Sequence, residues 1–347
     1  MNSQNSNAIT CYLIGAVFLC VCITIGISAG SLSIPFLTSA EVLWRSIWNL
    51  DMPAEINETH AAIIWNIRLP RVLLAALVGS SLALAGAAFQ GLLKNPLADP
   101  YTLGVSSGAA LGAVFVLFLG LSLPLLGSFT LPVVSILTGF LTLFFLLGFV
   151  RFIEKSLTTE TIILAGIIVS SFLGSMISFI IALTEDELRQ IVSWLMGSVA
   201  MKGWDYIWLN VPFFVLGAGL LFANRKELNA LVFGEETAKT LGVDTDKRRM
   251  TILAGASLLT GAAVSVSGTI GFVGLVVPHL VRLIFGPDHN LLLPMSIFAG
   301  GGFLVLTDLA ARTIIAPTEL PIGVITAIIG APIFGILLFQ ERCKRMK

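Results

Sequence analysis

Residues 101–150 read YTLGVSSGAALGAVFVLFLGLSLPLLGSFTLPVVSILTGFLTLFFLLGFV and contain no Asp, Glu, Lys or Arg. Roughly 20 helical residues cross a hydrocarbon core about 30 Å thick, so this run is long enough for two helices. Gly120 and Pro124 lie near its middle, and glycine and proline commonly interrupt helices. The stretch therefore predicts two membrane-spanning helices joined by a short turn.

Charge-free runs of this kind recur along the chain. They are residues 1–40, 72–93, 161–184, 206–224, 250–281, 289–307 and 320–340. The run 250–281 exceeds one span and carries Gly268, Gly271 and Gly274 followed by Pro278, which predicts one full helix and the start of a short or bent one. Strands of a membrane barrel would instead alternate apolar and polar residues. The predicted fold class is an all-α polytopic membrane protein with about ten transmembrane helices.

The composition also places most of the chain in lipid. Of 347 residues, 56% are hydrophobic and 12% are charged, whereas an ordinary soluble domain is roughly 25% charged. The 20 Lys and Arg balance 20 Asp and Glu, which argues against a nucleic-acid partner. Four cysteines are too few for a disulfide framework. We expect Cys11, Cys20, Cys22 and Cys343 to be unpaired.

Basic residues indicate the orientation, because short cytoplasmic loops are enriched in Lys and Arg. With an internal N-terminus and ten crossings, fourteen of the 20 basic residues fall inside and six outside. This excess predicts a multi-pass protein of a bacterial inner or plasma membrane with both termini cytoplasmic. The leader MNSQNSNA has no Lys or Arg and no clear cleavage site follows it, so we expect the first span to be a helix and not a signal peptide.

A weak internal echo links the two halves of the chain. Gly79-SSLALA-Gly86 in the first half corresponds to Gly261-AAVSVS-Gly268 in the second. In the predicted topology the two copies begin helices of opposite direction, which an inverted repeat requires. The alternative, compatible with the first, is that small residues at this spacing let helices pack closely.

The longest hydrophilic stretch on the predicted cytoplasmic side is residues 225–249, RKELNALVFGEETAKTLGVDTDKRR. Its pattern predicts two short helices, Glu227–Phe233 and Glu235–Leu241, separated by Gly234 and ended by Gly242. Such short helices are not stable alone, so a partner or the membrane surface must hold them; the alternative is a solvated loop. No Gly-Lys pair occurs, so a Walker-type phosphate loop is absent and any driving nucleotide must bind another chain.

Seven motifs, in one order, carry a resemblance to a known family. They are Arg68-Leu-Pro-Arg71, Leu84-Ala-Gly-Ala87, Gln90-Gly91, Asn95-Pro-Leu-Ala-Asp-Pro100, Leu103-Gly-Val-Ser-Ser-Gly-Ala109, Gly271-Phe-Val-Gly-Leu-Val-Val-Pro-His279 and Glu319-Leu-Pro-Ile-Gly323. Over residues 68–339 the chain resembles the FecCD-type permeases of ABC importers for iron-siderophores, haem and cobalamin.

The resemblance implies one transmembrane permease domain, residues 1–347, with ten helices and an inverted relation between helices 2–5 and 7–10. It implies a dimer, with the same chain or a similar permease, and a pathway along its two-fold axis. Two ATPase subunits would dock on a cytoplasmic coupling loop, residues 225–249, and a soluble binding protein would dock outside. Such a permease is not an enzyme, and it needs no catalytic residue, cofactor or metal of its own.

Three arginines on the predicted outer side form the first candidate site. The resemblance makes Arg68, Arg71 and Arg312 candidates for salt bridges to acidic residues of the binding protein. In the alternative, Arg68 and Arg71 reach lipid phosphates, while Arg312 pairs with Asp308 one helical turn away.

Two candidate sites lie on the predicted cytoplasmic side. Thr158, Thr159 and Glu160 fall where the family has its inner gate, although Glu160 departs from the small hydroxyl residue expected there. These residues would equally suit the start of helix 5. The residues predicted to couple the chain to an ATPase are Leu228, Leu231, Gly234, Glu235, Glu236, Leu241 and Gly242.

Two further motifs favour structural roles. His279 follows Pro278 without carboxylate or thiol ligands nearby in the sequence, so we expect it to pack and form a hydrogen bond. Residues 95–100 contain two prolines and an Asp, which predicts a rigid turn.

The expected function is ATP-driven import of an iron chelate by alternating access, with an iron-siderophore first and haem or cobalamin as alternatives. A secondary transporter driven by an ion gradient is the rival from another class. It would need ionisable groups at mid-membrane, and the charge-free spans argue against it.

Overall fold

Helices are the only regular secondary structure in residues 2–30, 34–53, 56–154 and 158–345, which are the residues that this computed structural model describes. In chain order the α-helices are α1 (Asn2–Ser28), α2 (Phe36–Ile47), α3 (Glu58–Ile63), α4 (Leu69–Leu92), α5 (Val105–Phe118), α6 (Thr130–Ile153), α7 (Thr159–Leu183), α8 (Leu188–Leu195), α9 (Trp204–Ala223), α10 (Arg225–Val232), α11 (Glu235–Thr240), α12 (Thr245–Ser267), α13 (Val273–Phe285), α14 (His289–Thr313) and α15 (Ile322–Arg345). A π-helical turn, Ile64–Arg68, joins α3 to α4.

Ten helical segments in the described part of the chain are apolar. Seven are also long enough to cross by length and composition, namely α1, the continuous α3–α4 segment, α6, α7, α9, α12 and α14. Shorter apolar helices are α5, α13 and the stretch Ile322–Leu337 of α15. Residues 101–150 form α5 and α6, and residues 250–281 form α12 and the short α13. The predicted span count and both predicted breaks are confirmed.

Local sequence sets the helix ends. Asp244 precedes α12 and its carboxylate accepts a hydrogen bond from the Lys247 backbone N–H at 3.2 Å, which satisfies one of the free donors of the first turn. Asp288 begins α14 in the same way. At the other end of α12, Gly268 has φ 70°, a left-handed conformation that suits glycine and redirects the chain into α13.

Helix α4 forms the centre of the bundle. It packs against α12, α13 and α14, and nearly all of its residues are buried. Glycines permit these crossings: a Cβ on Gly86 would lie 1.9 Å from the Gly274 carbonyl oxygen, and one on Gly79 would lie 2.2 Å from that of Gly300. Such backbone approach is how membrane helices gain packing contact, so close packing at small residues holds α4 in the bundle.

The packing also shows the inverted repeat. The first helix of the first half, α4, contacts α13 and α14 of the second half, while the first helix of the second half, α12, contacts α5 and α6 of the first. This exchange relates spans 2–5, which are α4–α7, to spans 7–10, which are α12–α15. The glycine echo is not the basis of the relation, because Gly86 lies inside α4 whereas Gly268 lies beyond the end of α12.

The start of α1 and the end of α15 lie on the face of the bundle that carries α10 and α11, here called the α10–α11 face. The Tyr12 hydroxyl of α1 donates to the Asn290 carbonyl at the start of α14, and the last turns of α15 reach the same face, where Leu337 lies beside His289. This placement agrees with the even number of crossings that the basic residues predict. The other end of the bundle, called the opposite face, carries α2, α8 and the predicted outer arginines.

Candidate functional sites on the two faces of the bundle

A buried charge cluster joins α4 and α14 at the opposite face. Arg71 Nε donates to Asp308 Oδ1 at 2.9 Å, and its two Nη atoms donate to the carboxylate of Glu319 at 2.8 and 3.0 Å. Asp308 is fully buried and its Oδ2 also lies 3.3 Å from Arg312 Nε. The Asp308 carboxylate therefore contacts two guanidinium groups inside the bundle, and Glu319 supplies a second negative charge to Arg71.

The same cluster holds the end of α1. Arg68 Nη1 donates to the Ile27 and Ser28 carbonyls, both at 3.0 Å, and Arg312 Nη2 donates to the Gly26 carbonyl at 2.6 Å. These are free carbonyls of a helix C-terminus, which cations satisfy well.

Burial changes how the three arginines can act. Arg68, Arg71 and Arg312 are only 5%, 8% and 6% exposed, which excludes the alternative in which Arg68 and Arg71 extend to lipid phosphates. The alternative that pairs Arg312 with Asp308 is confirmed. Direct docking of a partner carboxylate stays a prediction, and Glu319, with its side chain 41% exposed, is the part of the cluster nearest the surface.

A second feature of the opposite face is a cleft of about 650 Å³ beside α8 and the end of α12. Charged residues of both signs line it, namely Asp186, Glu187, Arg189 and Lys202. Lys202 Nζ lies 4.3 Å from the centre of the Tyr206 ring, and burial lowers the pKa of its ammonium group. The cleft offers accessible charge that the arginine cluster does not.

Three glycines next to this cleft bring the ends of α8, α12 and α15 into backbone contact. A Cβ on Gly268 would lie 2.0 Å from the Trp194 carbonyl oxygen, and one on Gly323 would lie 2.3 Å from that of Met196. The Ile322 backbone N–H donates to the Gly197 carbonyl at 3.0 Å. We call Gly197, Gly268 and Gly323 the glycine junction. The glycine junction was not predicted, because its contacts join residues distant in the chain and the glycines alone do not indicate which segments meet.

On the α10–α11 face, the predicted coupling loop folds into two short helices. The predicted ranges, Glu227–Phe233 and Glu235–Leu241, are within two residues of α10 and α11. Leu228 and Leu231 are buried, because α10 packs against α4 and α14. These two leucines anchor the loop and are not available to a partner.

A polar bridge fixes α10 to the start of α14. Asn229 Nδ2 donates to Asp288 Oδ1 at 2.7 Å, and Asn229 Oδ1 accepts from the His289 backbone N–H at 2.9 Å. These two hydrogen bonds thus connect α10 directly to a spanning helix. The sequence offered no pairing signal here, since the partners are about sixty residues apart.

Glycines and an ion-pair set shape α11. Gly234 has φ 121° and Gly242 has φ 82°, both in the left-handed region that glycine adopts readily. Glu235 pairs with Lys239 at 2.8 Å and with the buried Arg249 of α12 at 3.2 Å. Hydrogen bonding from Lys239, aided by Arg249, holds the pKa of Glu235 below its usual value. Glu235 is therefore a structural link, while Glu236 is exposed.

An apolar patch lies exposed on this loop. Val232, Phe233 and Leu241 are 44%, 77% and 67% exposed, and we call them the loop patch. Leu241 was among the predicted coupling residues and Phe233 was not. A large aromatic residue before a glycine in a polar loop could have indicated Phe233 as a contact residue. Apolar and aromatic side chains supply most of the energy at protein interfaces, so this patch suits a partner protein.

The predicted gate residues lie at the start of α7. Thr158 lies at the N-cap position of α7, but its hydroxyl bonds to Glu154 Oε2 at 2.8 Å, and Thr161 donates to the same oxygen at 2.6 Å. These hydroxyls hold the pKa of Glu154 below its usual value. Thr159 and Glu160 begin α7. The gating role itself stays a prediction.

The two motifs with predicted structural roles form a turn and a packed histidine ring. Asn95 Oδ1 accepts from the Leu97 backbone N–H at 2.9 Å, and Asp99 accepts from that of Tyr101 at 3.1 Å, which makes residues 95–100 a compact turn. The His279 ring packs edge-on to Phe334 with centroids 6.5 Å apart.

The remaining candidate side chains are the cysteines and the possible metal ligands. Cys11, Cys20 and Cys22 are free thiols, and the side chain of Cys343 lies outside the described residues. Within the described ranges, no group of three or more His, Cys, Asp or Glu side chains could hold a metal ion.

The chain is similar to known membrane transport proteins. The pattern of the FecCD transport family matches residues 17–340. The chain is 55% identical to the uncharacterized ABC transporter permease protein YvrB of Bacillus subtilis, over 97% of this chain and 95% of that one. It is 43% identical to the cobalamin import system permease protein BtuC of Halobacterium salinarum, over 84% and 77%.

A solved structure supports the same assignment. A metal-chelate type ABC transporter in an inward-facing conformation superposes with a TM-score of 0.82 at 34% identity, covering 95% of this chain and 98% of that one. Sequence pattern, relatives and fold agree, and the protein belongs to the FecCD transport family of ABC transporter permeases.

Proposed function

We propose that this permease imports an iron chelate, an iron-siderophore first, across the cytoplasmic membrane by ATP-driven alternating access. The observation that carries the proposal is the loop patch, an exposed apolar surface on α10–α11 that is anchored to the membrane core. The chain has no Walker-type motif, so hydrolysis belongs to two separate ATPase subunits that dock there. A related structure is described as a metal-chelate type transporter, which supports a chelate as cargo; haem and cobalamin are the alternatives.

The α10–α11 face is cytoplasmic in this proposal, with both termini inside. Its support is the excess of basic residues on that side. The glycine junction would then close the outer end of the pathway, as the likeness to an inward-facing transporter suggests. Thr158, Thr159 and Glu160 would form the inner gate. Force from the ATPases would pass from α10 through Asn229 to α14, since coupling needs contiguous packed elements with two arrangements.

An external binding protein would dock on the opposite face. Arg71 can meet a partner carboxylate only if Glu319 is displaced, because the buried cluster leaves no other access. Arg68 and Arg312 would support docking indirectly by holding the end of α1. The cleft with Arg189 and Lys202 supplies the accessible cations. A second permease subunit, identical or similar, would complete the pathway along a two-fold axis.

The rival, an ion-driven secondary transporter, needs an ionisable group free to bind the ion. Asp308 is the buried acid within a described span, and Arg71 and Arg312 neutralise it. We therefore expect uptake into reconstituted vesicles to require ATP, the two ATPase subunits and the binding protein. Uptake driven by an ion gradient alone would contradict the proposal, and the chelate that co-purifies with the binding protein would identify the cargo.

Removing the loop patch should uncouple the complex. In the double variant Phe233→Ala and Leu241→Ala we expect binding of the ATPase subunits to weaken by about tenfold or more, because burying each apolar side chain is worth about 1.5–3 kcal/mol. ATP-driven uptake should fall in proportion. Subunit binding is measured by titration of the permease in nanodiscs.

The matched control is Phe152→Ala, an equally exposed phenylalanine (89%) at the end of α6 and outside the loop. It should leave binding and uptake at the unaltered level. Replacing Glu235 with Lys would also break its salt bridge to Arg249, so a loss of coupling in that variant would not identify the docking surface. Glu236→Lys reverses a charge on the same surface and keeps that salt bridge. Wild-type ATPase affinity in the double alanine variant would refute the docking assignment.

A further inference from the structure

A cavity of about 420 Å³ opens on the α10–α11 face where the ends of α4 and α13 meet the start of α14. Its charged lining residues are Lys94 and Arg282, and no carboxylate is among the lining residues. The nearest acid along the chain, Asp288, is occupied by hydrogen bonds from Asn229 and Asn290. The cavity is therefore a concentration of positive charge.

The two cations have no partner in the described part of the chain. Neither Lys94 nor Arg282 forms a hydrogen bond or salt bridge there, although Arg282 is only partly exposed. Lys94 also has φ 49°, a left-handed conformation that costs a non-glycine residue roughly 1–2 kcal/mol. A lysine at a position where glycine would be favoured indicates that the ammonium group of its side chain has a function.

Buried hydrogen-bond acceptors also border the cavity. Gln90 Nε2 donates to the Gly274 and Leu275 carbonyls, so the amide orientation leaves Oε1 as the acceptor without a partner among the described residues. His289 Nδ1 lies 2.7 Å from Asn229 Oδ1. That oxygen can only accept, so Nδ1 carries the proton, and Nε2 of the neutral ring is a second acceptor without a described partner. A fitting ligand thus has an anionic group and also hydroxyl or ammonium donors.

The remaining lining is apolar, including Pro96, Val232, Leu283 and Leu337. Leu283 and the adjacent Ile284 are 57% and 72% exposed on a spanning helix, so the cavity continues into a surface suited to acyl chains. Free phosphate would satisfy the cations and leave this surface unused. A glycerophospholipid satisfies both, and basic pockets between spanning helices commonly hold anionic lipid headgroups.

The geometry points to a binding site for an anionic phospholipid of the leaflet on the α10–α11 side. Its phosphate contacts Lys94 and Arg282, headgroup donors face Gln90 and His289, and a chain lies along Leu283. The site also touches the coupling helices: a Cβ on Gly234 would lie 4.0 Å from Lys94 Nζ, and Val232 lines the cavity. The inference requires that the helices span a bilayer and is independent of cargo and energy source.

The test compares phosphatidylglycerol with phosphatidylcholine on the purified permease by native mass spectrometry. We expect retained phosphatidylglycerol at equal mole fraction, and in the variant Lys94→Gln with Arg282→Gln a loss of preference of about thirtyfold, the effect of two basic contacts of ordinary strength. Lys94→Arg should keep the preference. The matched control, Arg151→Gln with Lys226→Gln, removes two charges outside the cavity and should change little.

Three results would overturn the inference. The first is equal retention of both lipids by the unaltered permease. The second is stabilisation by inorganic phosphate as large as by phosphatidylglycerol vesicles, which would indicate a free-anion site. The third is an unchanged lipid preference in the double variant that instead binds the ATPase subunits more weakly, which would assign the cations to a protein contact. All variants are compared after gel filtration and thermal unfolding in phosphatidylcholine, so that misfolded protein is excluded.

Discussion

Replacing Asp308 with Asn is expected to destabilise the protein by about 3–5 kcal/mol, because it leaves buried guanidinium groups without their shared counter-charge. Asp308 is fully buried and pairs with both Arg71 and Arg312. Glu319, partly exposed, would remain as the only carboxylate for two arginines. Thermal unfolding in mild detergent should show a midpoint lowered by roughly 5–10 °C.

Two further variants separate charge from packing. Asp308→Asn combined with Arg312→Leu removes one excess cation and should recover part of the loss, since replacing both partners of a buried pair costs less than removing one. Glu41→Gln breaks the exposed pair with Arg45, at 2.9 Å, and should cost under about 1 kcal/mol. If Asp308→Asn unfolded at the same temperature as Glu41→Gln, the cluster would have no structural role.

Gly86→Ala is expected to disrupt the contact of α4 with α13. The new Cβ would lie 1.9 Å from the Gly274 carbonyl oxygen and 2.7 Å from its Cα, so backbone and not a flexible side chain must move. Overpacking of this kind costs about 1–3 kcal/mol or more, which exceeds the gain of roughly 0.5–1 kcal/mol from replacing a helical glycine. The measurements are thermal unfolding and ATP-driven uptake, and both should fall.

Gly261→Ala is the matched control, because Gly261 is another glycine of the sequence echo. It is also inside a buried helix, yet nothing lies within 4 Å of an added Cβ. This variant should be neutral or slightly more stable. Equal destabilisation by the two substitutions would mean that the close crossing at Gly86 does not determine stability.

Much of the fold follows from local sequence. An apolar run must satisfy its own backbone hydrogen bonds in lipid, so its length alone predicts a spanning helix. Glycine and proline likewise marked the break between α12 and α13, and Gly234 marked the division between α10 and α11. These features depend on residues adjacent in the chain, which is why they could be predicted.

Partner choice was decided only in three dimensions. Arg71 lies 237 residues before Asp308, and no local pattern distinguishes a buried arginine that neutralises Asp308 from an exposed one that awaits a binding protein. Leu228 and Leu241 also look alike in sequence, yet α10 packs Leu228 against α4 and α14, whereas Leu241, at the end of α11, is exposed. The amino-acid sequence determined which segments enter the membrane, because that depends on hydrophobic length. The tertiary structure decided which side chains face each other and which face a partner, because burial depends on neighbours distant in the chain.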